Sequence, residues 1–151
     1  ILHMKWNKKE WNFLVKWKKK ISSLFWLDDC AGGICLRERR WKTEILCILH
    51  KEGRLMIPKW KIKKWESKEE AALREFREET WLYNSRLWEN IGVIKDRLRR
   101  KKIYIYHIYE TGSKHSSMHD EAIMWVELSK APPKMKHVSE KKFIEQVCLQ
   151  K

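Results

Sequence analysis

The sequence predicts an α+β domain built on a mixed β-sheet. Two observations carry this: short runs of apolar and aromatic β-formers punctuated by turn residues, and two segments with apolar residues at helical spacing, one opened by a capping signal. Their order is three strands, a loop, a helix, three strands and a helix. That order, in 151 residues with 43% hydrophobic composition, suits one domain around one core.

"CAGGICLRE" and "TEILCILHKEG" read as strands joined by the polar "RRWK", the second closing on the turn signal "EGR". "LMIP" is a short strand stopped by Pro58, and "KWKIKKWE" is a loop. Ser67 then opens a helix, because Ser67 and Glu70 form the S-x-x-E capping box. The helix is expected to run to about Thr80, with Leu73, Phe76 and Thr80 on the face that packs on a sheet. "IGVIKDR", "KKIYIYHIYET" and "AIMWVEL" are further strands. "SEKKFIEQVCLQ" is a closing helix with Phe143, Ile144 and Val147 at 3–4 spacing. Residues 1–20 are Lys-rich with weak periodicity and read as a basic, partly disordered tail.

The net charge of +14 points to an anionic partner or substrate, against the plainer reading of a solvated basic surface. Cys30, Cys35, Cys47 and Cys148 lack CxxC spacing, which disfavours zinc and suits buried thiols in a reducing compartment. No apolar run approaches the roughly 18 residues of a membrane span, and "ISSLFWL" is a poor secretory core, so no membrane is expected and the cytoplasm is the default.

Glu75, Glu78 and Glu79 fall at i, i+3 and i+4, within an arc of about 100° on a helix. Taken alone, the triplet reads first as a solvated acidic face and only second as a site for a hard divalent cation. The wider pattern decides between them. Glu66, seven residues, then Arg74-Glu75-Phe76-Arg77-Glu78-Glu79-Thr80, one residue more and Leu82 resemble the Nudix box, the signature of the Nudix hydrolases. All the acidic and arginine positions match over 23 residues. "AGGICLRE" is similar to the family's first strand and "EAIMWVEL" to a late one. The resemblance covers about residues 28–151 and leaves 1–27 as a basic N-terminal extension.

The resemblance implies a Nudix fold, a mixed sheet sandwiched between α-helices. It also implies metal-dependent hydrolysis of a phosphoanhydride in a nucleoside diphosphate linked to another moiety. It assigns Glu75, Glu78 and Glu79 to Mg²⁺ or Mn²⁺, with one of them, or a glutamate outside the box, as the base. It gives Arg74 a structural pairing with Glu66, and the position-60 main-chain carbonyl a place as a further metal ligand. Glu121, ahead of Asp120, is the candidate carboxylate outside the box, and a plain loop acid is as good a reading of it. Lys59 and Lys61 suit a polyphosphate, although solvated lysines are the ordinary case. His115 and His119 read as part of a polar loop. The "LMIPKWKIKKWES" style is similar to diadenosine polyphosphate hydrolases. A dinucleoside polyphosphate is therefore the first expected substrate, a nucleoside triphosphate the second and an RNA 5′-triphosphate the third. A non-catalytic nucleotide-binding module is the competing class, disfavoured by the intact carboxylates.

The box departs from the family at its two glycines, where this chain has Trp60 and Trp81. Trp65, before Glu66, and Trp41 and Trp88 also occupy glycine-like turns, whereas Trp125 stands where the family often has Trp. The chain has 10 Trp and only 5 Gly, against an ordinary Gly share of roughly 7%. The pattern implies glycines encoded by UGA in an organism that reads that codon as glycine. UGG codons at these sites would contradict it.

Overall fold

The computed structural model describes residues 7–25, 27–110 and 123–150. It contains helix α1 (Lys8–Phe25), strands β1 (Asp28–Arg39), β2 (Lys42–Leu49), β3 (Leu55–Met56) and β4 (Lys59–Lys61), helix α2 (Lys68–Thr80), strands β5 (Ser85–Asp96), β6 (Lys101–Glu110) and β7 (Ile123–Glu127), and helix α3 (Val138–Leu149). Two 3₁₀ turns, at Leu128–Lys130 and Pro132–Lys134, lead into α3.

β1 is the hinge of the sheet. Its residues 28–35 pair in parallel with β6, with 30–32 also antiparallel to β4, and its last residues, 36–39, pair antiparallel with β2. β5 extends the sheet beyond β6, while β3 and β7 both pair with β2. The loop that leaves β3 can lie across β1 because Gly32 has no side chain. A Cβ there would stand 2.4 Å from the Pro58 carbonyl oxygen. That contact delivers Pro58–Lys61 to the start of α2.

The helices cover opposite faces. Under α2, Phe76 packs with Cys35, Leu46, Leu82 and Ile108, and Ala71 and Ala72 sit close against Ala31 and Tyr106. Under α3, Ile144 joins Ile34, Ile103 and Ile105 in the larger cluster. The sandwiched mixed sheet expected from the sequence is therefore the observed architecture. All four cysteines are free, and burial pushes the Cys35 and Cys47 thiols up to about 12.

Three local expectations are corrected. The basic N-terminal segment, read as weakly periodic and partly disordered, contains a helix, Lys8–Phe25, which starts where Asn7 Oδ1 accepts the Glu10 N–H (2.9 Å) while the Glu10 carboxylate accepts the Asn7 N–H (3.0 Å). This reciprocal cap was present in the sequence as Asn-x-x-Glu. The segment "KWKIKKWE" is not all loop, because its first three residues form β4. The fifth strand begins six residues earlier than "IGVIKDR", at Ser85. Among the described residues no helix is long and apolar enough to cross a membrane.

Candidate active site

The site is assembled by α2 and the segment before it. Ser67 accepts the Glu70 N–H at 3.1 Å and Glu70 accepts the Ser67 N–H at 2.8 Å, so the capping box fixes the start of the helix. At the other end, Trp81 is in the left-handed region, with φ 62°. Between these ends Arg74 is the organising cation. Its Nε donates to Glu66 Oε2 at 2.9 Å and its Nη2 to Glu66 Oε1 at 2.6 Å, a bidentate pair that joins the loop to the helix. The pairing expected of Arg74 and Glu66 is thus present. Glu66 also accepts the Lys63 N–H at 2.7 Å, which closes the turn ahead of α2. The Arg74 hydrogen bond is the main reason that Glu66 is held low, at about 2.

The same guanidinium contacts Glu75 and, at 3.1 Å, Glu78. Glu75 is buried and Glu78 is more than half exposed. Desolvation raises the Glu75 pKa, against the opposing hydrogen bond from Arg74. Glu79 differs from both. Burial pushes it up to about 7, with the Lys59 charge opposing. Among the described residues Glu79 forms no ion pair, since the ammonium of nearby Lys59 is committed to Glu140.

Three oxygen donors on adjacent helix positions suit a hard divalent cation. Glu79 supplies a specific reason: it is a desolvated carboxylate with no direct counter-ion among the described residues, and a cation there would favour its charged form. Among the described residues no three carboxylate, imidazole or thiol side chains already converge as a cage. Arg74 accounts for that at Glu75 and Glu78, and a cation has to draw both from it. The bidentate hold on Glu66 does not depend on them.

The remaining expected residues are placed as follows. Trp60 lies in β4 opposite Ala31, with its indole 57% exposed and Lys101 Nζ 5.1 Å from the ring. Lys61 is at the surface, its ammonium 3.0 Å from Asp28 Oδ2. Lys59 is not at the surface. Its ammonium is buried 3.0 Å from Glu140 Oε1 and donates to the Ile57 carbonyl at 3.2 Å. Glu121, Asp120, His115 and His119 lie outside the described residues.

Glu140 was missed in the sequence. The signal was a glutamate four residues before Ile144, on the apolar stripe of α3. The tryptophans divide into two groups. Trp41 (φ 68°) and Trp81 (φ 62°) have the backbone that favours glycine. Trp60, Trp65 and Trp88 do not, and their side chains are exposed, Trp65 at 84%. Arg40 and Trp41 both have positive φ, the two-residue hairpin geometry for which Asn-Gly is the usual choice. Trp125 is partly buried, with the Arg37 guanidinium 4.1 Å above its ring.

Residues 23–147 match the NUDIX domain family. Among curated proteins no sequence matches the chain. Among solved structures it is similar to a C. elegans Ap4A hydrolase (17% identity, TM-score 0.62), over 82% of this chain and 98% of that one. It is also similar to the Nudix hydrolase RenU from M. smegmatis (13%, 0.61; 82% and 87%). A third is the NUDIX domain of Shewanella oneidensis NrtR, solved with ADP ribose (15%, 0.60; 82% and 88%). The match spans most of the chain and includes the clamp and carboxylates of α2, so this chain belongs to the Nudix hydrolase family.

Proposed function

We propose that this chain hydrolyses a phosphoanhydride bond in a nucleoside diphosphate linked to another moiety, a dinucleoside polyphosphate first of all, with Mg²⁺ or Mn²⁺. The observation that carries the reading is the array on α2. Arg74 locks Glu66 and the loop to the helix, while Glu75, Glu78 and Glu79 stand on the adjoining positions. These three glutamates would hold the metal, with the position-60 carbonyl and Glu121 as further ligands. When bound, the cation supplies a water of lowered pKa and neutralises phosphate oxygens.

The chain's own groups do the rest. The Arg74–Glu66 clamp fixes where the loop presents its main chain to the substrate. The base is one of the three glutamates or a glutamate outside the box. Lys61 offers a surface charge to the polyphosphate. Lys59, buried against Glu140, acts from inside instead.

The dinucleoside preference is supported by the Pro58-Lys59 style of the loop and by the likeness to an Ap4A hydrolase. Four free thiols fit a reducing, cytoplasmic setting. A panel of diadenosine polyphosphates, nucleoside triphosphates, nucleotide sugars and 5′-triphosphate RNA, each with Mg²⁺ or Mn²⁺, tests the substrate. The expected result is the highest kcat/KM on a diadenosine polyphosphate. A higher value on triphosphates or RNA would replace that preference. Binding of ADP-ribose with no turnover of any member would point to a binding module.

A further inference from the structure

Glu140 sits on α3, across the sheet from α2, and is 0% exposed. Its Oε1 accepts the Ile57 N–H at 2.9 Å and the Lys59 ammonium at 3.0 Å. Its Oε2 accepts Arg99 Nη2 at 3.0 Å, and His137 Nε2 stands 4.0 Å away. A carboxylate this deep costs several kcal/mol of desolvation, about what good partners must offset. Two cations and a main-chain N–H do so here.

Two of those partners, Ile57 and Lys59, belong to the segment that reaches the catalytic end of α2. The charge and the main-chain amide of Lys59 both act on the Glu79 carboxylate, yet the Lys59 ion pair is made with Glu140. Its flexible four-carbon stem leaves the ammonium free to turn if that anchor is lost.

We infer that Glu140 is a positioning residue for the metal site. It holds the Lys59 ammonium away from Glu79, so that Lys59 offsets the Glu79 charge through space without covering the oxygens a divalent cation needs. Without a charge at 140, a buried ammonium cannot stay unpaired, and Glu79 is the carboxylate it turns to. Lys59 then competes with the metal. This rests on the reading of Glu79 as a metal ligand.

The test is a Mn²⁺ titration of the full chain, without substrate, read by the EPR signal of free Mn²⁺. Four proteins are compared: wild type, Glu140→Gln, Lys59→Met and the double variant. Glu140→Gln keeps the shape and the acceptor for Ile57. It is expected to weaken Mn²⁺ binding about 10-fold, and adding Lys59→Met should recover most of that loss, a coupling of the size seen between contacting residues. A purely structural role would restore melting temperature and Mn²⁺ binding in parallel, since deleting Lys59 also removes the unpaired buried charge. Competition by Lys59 instead gives the Mn²⁺ loss and its recovery at a temperature where melting curves show all four proteins fully folded. Unchanged binding in Glu140→Gln, or a double variant no better than Glu140→Gln, overturns the inference. Wild type that binds no Mn²⁺ overturns the metal-site reading itself, and this inference with it. If Glu140→Gln does not fold, Glu140→Asp, which retracts the charge by one methylene, carries the same comparison with and without Lys59→Met.

Discussion

The helices α2 and α3 have nearly the same length, 13 and 12 residues, and cover opposite faces of one sheet. They treat carboxylates in opposite ways. α2 carries Glu75, Glu78 and Glu79 and gives the first two a shared cation, Arg74, while among the described residues Glu79 has no ion pair. α3 buries a single glutamate and surrounds it with Lys59, Arg99 and a main-chain N–H. An under-compensated set of acids is the arrangement of a binding site, and a fully compensated buried acid is that of a structural joint. Lys59 connects the two.

The contrast predicts different losses. Glu79→Gln removes the charge without changing the shape. It should fold normally, bind less metal and lose about 10²–10⁴-fold in kcat, the range for a positioned acid–base group. Steady-state kinetics at saturating Mg²⁺ with a melting curve check both halves, and near-native turnover would place the metal site elsewhere. Glu140→Ala should, unlike Glu79→Gln, cost stability as well as metal affinity. It strips the partner from the buried Lys59 ammonium and one of two partners from the half-buried Arg99, and chemical denaturation should register a loss of about 3–5 kcal/mol. A loss below that of an ordinary surface substitution would show that α3 is not held by this joint.

A smaller effect is expected at the two strained tryptophans. Trp41→Gly and Trp81→Gly each relieve a left-handed β-carbon, so each should raise stability by about 1 kcal/mol. Trp65→Gly has no such strain to relieve and serves as the control. Equal melting temperatures for all three would remove the structural support for glycine at 41 and 81.

A further effect is on pH dependence. Folding lowers Glu66 from 4.5 to about 2, chiefly through Arg74. It also lowers Asp96 from 3.8 to about 2, where hydrogen bonds from Arg99 and Ser139 outweigh burial. For both, the unfolded chain takes up protons first as pH falls. The stability they give at neutral pH should decline from about pH 4.5 and be gone below about 2. Glu66→Gln should flatten that decline in an acid titration of melting temperature, and an unchanged slope would mean that the clamp adds little to stability.

Much of this was legible in the sequence because it is local. The capping box and the spacing of Glu75, Glu78 and Glu79 lie within one short stretch whose geometry a helix fixes, and the pairing of Glu66 with Arg74 was implied by the resemblance to the Nudix box. Ser67 and Glu70 form the cap that their spacing implies. What escaped was long-range or understated. Lys59 and Glu140 are 81 positions apart, and nothing near Lys59 says that its charge faces inward. Glu140 left only a trace, a charge on an apolar stripe. Asn7 and Glu10 cap α1 in a segment whose lysines obscured its periodicity. The five glycine-like tryptophans looked equivalent as letters, and only the backbone separates 41 and 81 from the others.

The central claim is that the α2 carboxylates work through a divalent cation on a phosphoanhydride. Chelation and add-back on the wild-type chain tests it most directly, with diadenosine tetraphosphate as substrate and nucleotide products followed by chromatography. The account predicts that hydrolysis stops in EDTA and returns when Mg²⁺ or Mn²⁺ is restored. Hydrolysis that continues undiminished in EDTA would contradict it.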